Sequence, residues 1–319
     1  MDRTDQGQRT STGAMARAVA FVRLARPHQW VKSAFVLVGP LYGMGDAARH
    51  LTPGEVWPRV GLAAAAFALA SSACYVVNDV LDAPADRQHP RKCRRPVASG
   101  EVPVGAAWVF AGVLLVAATV LVSLIPVEYR WMTALAAGLY VANVSFYSAW
   151  AKHVIIADVM GLSLGFVLRV MGGCAAAGIT PSTWLLNCTF FLAMFLAFGK
   201  RLGERRTMGS EARAAEVRAV HAAYTDEMLR MAVVVTAVVT LLSYAAYVQA
   251  RESQYTQGFN LLWLTVLPAT FGTLRCIVLL ERGDYDDPTE LAIRDRPFGA
   301  SALVFAVLTV WLALRSRGG

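Results

Sequence analysis

The sequence predicts an all-α membrane protein that crosses the bilayer nine times. Of its 319 residues, 56% are hydrophobic and only 16% are charged, whereas a soluble domain carries about 25% charged residues. The charges are also segregated, because long uncharged stretches of about 18 residues or more, the length that a membrane-spanning helix requires, lie between them. These observations argue against a soluble fold.

Nine apolar segments account for the predicted spans. The uncharged stretch 170–199 is too long for one helix, and Gly178 and Pro181 provide a break near its start, since glycine and proline interrupt helices. The first span depends on a shorter uncharged stretch than the others. The predicted spans are residues 30–48, 60–79, 104–125, 130–149, 154–177, 183–200, 231–250, 259–280 and 298–315.

Basic residues predict the orientation. They are concentrated before the first span and in alternate connections, and the opposite connections contain few of them. Because basic connections stay in the cytoplasm, this pattern predicts a cytoplasmic N-terminus and a multi-pass protein of the cell membrane. The net charge of +8 belongs mainly to that face. Nucleic-acid binding is disfavoured, since the basic residues alternate with spans and form no binding-module signature.

The chain divides into a tail and one domain. Residues 1–20 are predicted to form a disordered cytoplasmic tail, which lacks the apolar core of a cleavable signal. Residues 21–319 are predicted to form a single transmembrane catalytic domain. The five cysteines and five histidines are scattered, so neither a disulfide framework nor a zinc site is predicted.

An acidic cluster directly follows the second span. If the helix continues, Asn78, Asp79, Asp82 and Asp86 lie on one face, and Pro84 is expected to loosen the last turn and let the carboxylates converge. A solvated helix end with one capping aspartate is the alternative, but three acids exceed what a cap needs. Since Mg²⁺ prefers carboxylate oxygens, Asp79, Asp82 and Asp86 are the predicted catalytic residues and ligands of one or two Mg²⁺ ions.

Basic side chains follow the acidic cluster. Positive-inside bias explains part of this run, but its two prolines and its alternation with Asp86 favour an ordered loop. Lys92 and Arg95 are predicted phosphate ligands, because cations bind the phosphates that Mg²⁺ bridges. Lys32, just inside the first apolar run, is a third predicted cation of the site, and Asn78 supports the metal ligands.

The connection after the fourth span carries further polar residues. Tyr147 and Lys152 are predicted to contact substrate, although Lys152 alone is also explained as an interfacial anchor. Asp158 falls near the start of an apolar helix, where a charge costs about 2.5–3.5 kcal/mol. Arg169 lies on the same helix face. The two residues predict a buried polar stripe that is either structural or in contact with substrate.

The pattern Asn78-Asp79-x-x-Asp82-x-x-x-Asp86, followed by 95–100, closely resembles the first Asp-rich motif of the UbiA-type intramembrane prenyltransferases. The nine-helix pattern fits that family over about residues 20–315. The resemblance implies an all-α bundle of UbiA type with a Mg²⁺-dependent site at the cytoplasmic surface. It also implies a second Asp-rich motif after the sixth span, where this sequence has Gly199-Lys200-Arg201-x-x-Glu204 instead.

Fewer acids and more cations at that position suit a donor with more phosphate than a prenyl diphosphate. Matching segments at 26–32, 86–92, 199–201 and 291–296 resemble the decaprenyl-phosphate phosphoribosyltransferase branch of the family. This resemblance implies transfer of 5-phosphoribosyl from phosphoribosyl pyrophosphate to a polyprenyl (decaprenyl) phosphate, with release of pyrophosphate, for arabinose-containing cell-envelope precursors. Lys200 and Arg201 are then expected to hold the 5-phosphate.

Two other functions remain as alternatives. A typical UbiA-type enzyme transfers a prenyl group from a polyprenyl diphosphate to an aromatic acceptor. A transporter without chemistry is disfavoured, because the charged cluster lies at the membrane surface and not at the midplane. The sequence leaves open the prenyl chain length, the formation of a homo-oligomer, and the roles of Asp158, Arg169 and Glu204.

Overall fold

A computed structural model describes residues 15, 17–44, 52–89, 92–207, 224–255, 258–282 and 291–315. Within these ranges the chain is helical apart from short connections, and it contains no β-strand. The prediction of an all-α protein is therefore confirmed.

Nine helices of ten residues or more form a bundle in the described part of the chain. A 3₁₀ segment over Pro27–Ala34 leads into the first of them. In chain order they are α1 (Phe35–Met44), α2 (Pro53–Asp86), α3 (Val104–Ser123), α4 (Val127–Ala149), α5 (Ala157–Ala177), α6 (Thr183–Thr207), α7 (Asp226–Ala250), α8 (Val266–Arg282) and α9 (Arg296–Arg315).

Within the described residues, helix occupies the position of every predicted span, and residues 45–48 of the first span lie outside them. Seven of the described helical segments are long and apolar enough to cross a membrane. The two predicted spans outside this set correspond to α1 and α4. Within the described residues the first predicted span is partly 3₁₀ and its α-helix has only ten residues, and α4 carries polar positions such as Asn143 and Ser145. The chain is a multi-pass membrane protein.

The outside of the bundle is apolar. On α3, for example, Val109 is 69% exposed and Val116 is 64% exposed. Large apolar side chains are also exposed along α4, α7 and α9. A continuous apolar exterior of this kind matches lipid tails and not water, so it agrees with the composition of the spans.

Helix α5 lies inside the bundle and packs against α1, α2, α4 and α6. A Cβ atom on Gly173 would lie 1.7 Å from the carbonyl oxygen of Val36, so glycine is what allows α1 and α5 to approach this closely. The close contact fixes the chain that precedes α1 beside α2 and α5. Several of the predicted site residues lie in that chain or on those helices.

The prediction of disorder for residues 1–20 does not hold at residues 17–20. Residues 17–25 are helical, and Ala20 and Leu24 are buried in an apolar cluster with α2 and α3. Phe21 packs edge-on against Phe110 of α3. Burial of residues 20 and 24, one helical turn apart, stabilises this segment; residues 1–14 and 16 lie outside the described residues.

Candidate active site

The acidic cluster lies at the C-terminal end of α2. The helix continues through Pro84 to Asp86, so the predicted loosening of its last turn does not occur. Asp79 and Asp86 are buried, whereas the side chain of Asp82 is 35% exposed. The three carboxylates do not converge, because Asp79 and Asp86 contact the chain on one side of α2 and Asp82 contacts another segment.

Arg95 joins two of the carboxylates. Its Nη1 lies 2.7 Å from Asp86 Oδ2 and 3.3 Å from Asp79 Oδ1. The loop that carries it is ordered by backbone hydrogen bonds, including those from Arg95 N to Lys92 O and from Ser99 N to Arg95 O. The part of the predicted loop 87–96 that the structure describes, residues 87–89 and 92–96, is thus ordered, and one guanidinium serves two buried acids.

Arg26 supplies a second cation to Asp79. Its Nη2 donates to Asp79 Oδ1 at 2.5 Å, and its guanidinium lies over the ring of Tyr75. The backbone of Arg26 is left-handed, with φ 52°, in a residue whose α conformation is already disfavoured by the following Pro27. Strain of this kind persists where the surroundings hold it in place.

Hydrogen bonds fasten the segment that carries Arg26 and Lys32 to α2. Trp30 Nε1 donates to Ser72 Oγ at 2.9 Å, and the Ser72 hydroxyl donates to the carbonyl of Ala25 at 2.7 Å. The Trp30 indole therefore positions the cations on both sides of it in the sequence, Arg26 and Lys32.

Lys152 pairs with the third carboxylate. Its Nζ lies 3.3 Å from Asp82 Oδ1. Lys152 belongs to a short 3₁₀ turn, Ala151–His153, between α4 and α5. All three aspartates therefore contact an arginine or lysine, which for Asp79 and Asp82 includes a residue more than 50 positions away in the sequence.

A small cavity of about 100 Å³ lies between α2, α4 and α5, and we call it the polar cavity because lysine, arginine, asparagine and tyrosine residues are among those that line it. It brings together three residues that the sequence predicts to bind substrate: Lys32, Asn78 and Tyr147. Because Asn78 and Asp82 lie one turn apart on α2, the cavity begins directly below the Asp82–Lys152 pair.

Asp158 and Arg201 form a buried pair. Arg201 Nη2 donates to Asp158 Oδ2 at 2.5 Å, and both residues are more than nine-tenths buried. Tyr224 Oη donates to the other oxygen of Asp158 at 2.8 Å and accepts from the backbone N–H of Ile156 at 2.7 Å. Burial raises the pKa of Tyr224 to about 12, so its hydroxyl stays protonated and able to donate.

This pair changes how two predicted residues are interpreted. The sequence predicts that Asp158 and Arg169 form one buried stripe, and both are indeed buried. Their partners differ, however: Asp158 binds Arg201 of α6, whereas Arg169 Nη2 donates to Tyr140 Oη of α4 at 2.7 Å. The structure therefore places Arg201 inside the bundle and Lys200 on its surface.

The remaining predicted cation is Lys92. It is half-buried, and within the described part of the chain its ammonium forms no ion pair. The chain has only four lysines, and the sequence predicts that all of them bind substrate. The side chain of Glu204 lies outside the described residues.

Asp295, in the segment 291–296, stabilises the start of α9. Asp295 accepts from Arg275 at 2.8 Å and from the backbone N–H of Phe298 at 2.8 Å, so it caps α9 and ties it to α8. The hydrogen bond from Arg275 lowers the pKa of Asp295.

The donor chemistry of the acidic cluster fits Mg²⁺, which prefers hard carboxylate oxygens. In the described residues, however, no three His, Cys, Asp or Glu side chains are grouped closely enough to hold a metal ion. The reason is that Arg95 and Lys152 draw the carboxylates toward different segments. A metal site at these aspartates therefore requires both cations to exchange their carboxylate partners.

An apolar cavity of about 490 Å³ lies on another side of α1, among α6, α7, α8 and α9. Most of its lining is aliphatic or aromatic, and the few polar groups are hydroxyls and thiols such as those of Tyr244 and Cys188. The volume and apolar lining of this cavity suit a hydrocarbon chain.

Solved structures share this architecture. A UbiA homologue from Archaeoglobus fulgidus bound to GPP and Mg²⁺ superposes with a TM-score of 0.66 at 17% identity, over 94% of this chain and 100% of that one. A UbiA homologue from Aeropyrum pernix gives a TM-score of 0.60 at 16% identity, over 91% of this chain and 98% of that one. The fold is therefore that of a membrane-embedded, all-helical protein of UbiA architecture.

Sequence relatives specify the family. Residues 36–294 match the UbiA prenyltransferase family, and the chain belongs to this family. A decaprenyl-phosphate phosphoribosyltransferase from Mycolicibacterium smegmatis is 31% identical over 302 residues, which cover 92% of both chains. Proteins of the same name from Corynebacterium glutamicum and Mycobacterium tuberculosis are each 33% identical, over 92% of this chain and over 86% and 93% of theirs.

Proposed function

We propose that the protein transfers 5-phosphoribosyl from phosphoribosyl pyrophosphate to a polyprenyl phosphate of the decaprenyl type, releasing pyrophosphate. The observation that carries this proposal is the pairing of each of the three aspartates with an arginine or lysine. Such pairs supply both the carboxylates for a metal ion and the cations for a phosphate-rich donor. The relatives named above support this substrate pair. The product is suited to serve as a precursor of arabinose-containing cell-envelope polymers.

The site is proposed to face the cytoplasm, with the N-terminus on the same side and all nine helices across the membrane. Support comes from the basic residues, which cluster at this end of the bundle and follow the positive-inside rule. Phosphoribosyl pyrophosphate is a soluble anion, so a cytoplasmic site gives it direct access. The lipid substrate enters sideways from the bilayer.

Asp79, Asp82 and Asp86 are the proposed Mg²⁺ ligands, with Asn78 beside them. When bound, Mg²⁺ would neutralise charge that develops on the diphosphate leaving group. Arg95 and Lys152 would then exchange carboxylate for phosphate oxygens. Lys92 adds positive charge around the same phosphates, and Lys32 and Tyr147 are proposed to contact substrate from the cavity below them.

In the proposed reaction, the bond between C1 of ribose and the diphosphate oxygen breaks, and its electron pair leaves with pyrophosphate. An oxygen of the lipid phosphate forms the new bond to C1. The attacking oxygen is already anionic at neutral pH, so no general base is needed. Catalysis comes from positioning and from cations that stabilise the departing charge.

Lys200 is the proposed ligand of the 5-phosphate at the surface. Arg201 supports Lys200 indirectly, because its ion pair with Asp158 of α5 fixes the end of α6 that carries Lys200. Tyr224 adds to this support, because its hydroxyl binds both Asp158 and the backbone just after Lys152.

The metal role is tested by Asp82→Asn. We expect turnover to fall at least 100-fold at saturating Mg²⁺ while the protein remains monodisperse in detergent. Glu55→Gln, at the opposite end of α2, is the matched control and should keep normal turnover. Near-normal turnover of the Asp82 variant would exclude the carboxylate from the metal site.

The 5-phosphate role is tested by Lys200→Ala. We expect its KM for phosphoribosyl pyrophosphate to rise about tenfold, the loss of one charged hydrogen bond, with little change in KM for the lipid. Arg230→Ala removes an exposed cation that pairs with Glu281 and serves as the control. Equal increases in KM for the two substrates would show that Lys200 does not bind the donor specifically.

The second candidate function is prenyl transfer to an aromatic acceptor, which the fold likeness to UbiA homologues favours. It predicts consumption of a prenyl diphosphate and indifference to phosphoribosyl pyrophosphate. The two candidates are separated by supplying each donor in turn and measuring pyrophosphate release.

A further inference from the structure

Arg169 is a buried charge in the middle of the bundle. It is 4% exposed and lies on α5, a helix apolar enough to span the membrane. Among the described residues, no carboxylate lies within ion-pair distance of its guanidinium. A charge at such a position is costly to bury, and it generally marks a functional site.

The contacts of Arg169 are neutral. Nη1 donates to the carbonyl of Gly165, Nη2 donates to Tyr140 Oη, and the guanidinium lies 4.4 Å from the centroid of the Tyr140 ring. Nε is buried and has no hydrogen-bond partner in the described structure. The ring and the carbonyl orient the guanidinium, but no anion balances its charge.

Arg169 also lines the polar cavity between α2, α4 and α5. Its guanidinium is level with Gly165, eight residues from the first residue of α5, and therefore about 12 Å along that helix. Lys32 lines the same cavity, together with the amides of Asn78 and Asn143. One water needs about 10–15 Å³ of such space, so the 100 Å³ present accommodates a phosphate group.

The apolar cavity adjoins this polar one. Phe35 lines the apolar cavity and Phe166 lines the polar cavity. Their rings are in edge-to-face contact, with centroids 4.7 Å apart. A pair of aromatic rings is thus the partition between a cation-lined space and a hydrocarbon-lined space.

We propose that Arg169 and Lys32 form a phosphate-binding site below the Asp79–Asp82–Asp86 cluster, and that its ligand is the phosphate of the polyprenyl acceptor. The adjoining apolar cavity favours a lipid phosphate over a soluble one, since the chain then continues past Phe35 and Phe166. The inference builds on the proposed function. It places the acceptor on the membrane side of C1 and the leaving diphosphate on the aspartate side, as a displacement at C1 requires.

The experiment measures ligand-induced shifts of the thermal unfolding midpoint in detergent. The probes are farnesyl phosphate, farnesol, and phosphoribosyl pyrophosphate with Mg²⁺. In the wild type we expect stabilisation by farnesyl phosphate but not by farnesol. In Arg169→Gln the affinity for farnesyl phosphate should fall about tenfold to 100-fold, the loss of charged hydrogen bonds, while stabilisation by phosphoribosyl pyrophosphate persists.

Arg59→Gln is the matched control. Arg59 also lies over a tyrosine ring, at 4.1 Å from Tyr129, and also has a buried Nε without a partner in the described structure. It lies near the opposite end of α2, so its variant should bind farnesyl phosphate normally. If Arg169→Gln does not fold, Lys32→Met removes the other cation of the same cavity. It should weaken the binding of farnesyl phosphate and leave the stabilisation by phosphoribosyl pyrophosphate unchanged.

Two results would overturn the inference. Unchanged farnesyl phosphate affinity in both variants would show that the site does not bind the acceptor. A variant that loses only its stabilisation by phosphoribosyl pyrophosphate would show that a donor phosphate occupies the cavity. Failure of the proposed function is distinguishable, because wild-type protein would then show no stabilisation by phosphoribosyl pyrophosphate and no turnover with it.

Discussion

Arg95→Met tests the shared use of one guanidinium by two carboxylates. Asp79 and Asp86 both contact Arg95 Nη1, at 3.3 and 2.7 Å. Their oxygens are therefore at most about 6 Å apart, a distance at which two unit charges repel by about 3 kcal/mol at an effective dielectric constant of ~20. Arg26 still pairs with Asp79 in the variant, so we expect the repulsion to be partly offset and the thermal midpoint to fall by about 5 °C or less.

The assay compares thermal unfolding in detergent with and without Mg²⁺, in the absence of substrate. In the wild type Arg95 already neutralises the pair, so Mg²⁺ should shift the midpoint little. In Arg95→Met the ion can take the vacated place between the carboxylates, so Mg²⁺ should restore most of the loss. Arg94→Met, at an exposed neighbouring position, is the control and should behave like the wild type. Equal Mg²⁺ responses in the wild type and Arg95→Met would refute the exchange of Arg95 for a metal ion.

Three further predictions concern the scaffold. Gly173→Ala should abolish or strongly lower the yield of folded protein in size-exclusion chromatography, because the added Cβ would lie 1.7 Å from a backbone oxygen. Gly138→Ala is the control and should not change the yield, because a Cβ there has no atom within 4 Å. Tyr224→Phe should lower the free energy of unfolding, measured by denaturant titration, by about 1–3 kcal/mol, because Asp158 and the backbone N–H of Ile156 lose a hydrogen-bond partner. An unchanged free energy of unfolding would contradict a stabilising role for the Tyr224 hydroxyl. Asp295→Ala should lower it by about 1 kcal/mol through loss of a helix cap. Because the folded-state pKa of Asp295 is lowered, its contribution is present above the ordinary carboxyl pKa of about 3.9 and should vanish as the pH falls below it. A difference between wild type and Asp295→Ala that is constant with pH would contradict this.

Hydropathy located the helices well, since a run of uncharged residues has few options other than a span. It was less informative for α1 and α4. The described part of the first predicted span begins as a 3₁₀ segment, and α4 uses Asn143 and Tyr147 to line the polar cavity. Polar residues that serve a site lower the apolar signal of the helix that carries them.

The sequence also located the acidic cluster, but it could not predict the partners of its members. Helical periodicity places Asn78, Asp79, Asp82 and Asp86 near one another, whereas the contacts depend on distant segments: Arg26 and Arg95 reach Asp79, and Lys152 reaches Asp82. Pairing across such separations is tertiary information. A periodic pattern within one helix does not contain it.

Arg201 and Tyr224 illustrate the same limit. A basic residue beside Lys200 at the end of a span is typical of a surface flank, yet Arg201 turns inward to Asp158. Tyr224 carried no signal in the sequence, because a single tyrosine before a helix is common. The charge of Asp158 inside an apolar helix was the available clue, since a buried carboxylate needs a cation and donors from elsewhere in the fold.

The most direct test of the proposed reaction follows the phosphates of the donor. Purified protein in detergent receives Mg²⁺, polyprenyl phosphate and phosphoribosyl pyrophosphate labelled with ³²P either on the 5-phosphate or on the terminal diphosphate phosphorus. Phosphoribosyl transfer predicts that the 5-phosphate label moves into the lipid fraction and that the diphosphate label appears as soluble pyrophosphate, with both changes dependent on the lipid. A lipid fraction that gains no 5-phosphate label, while labelled prenyl diphosphate is consumed with an aromatic acceptor, would contradict it.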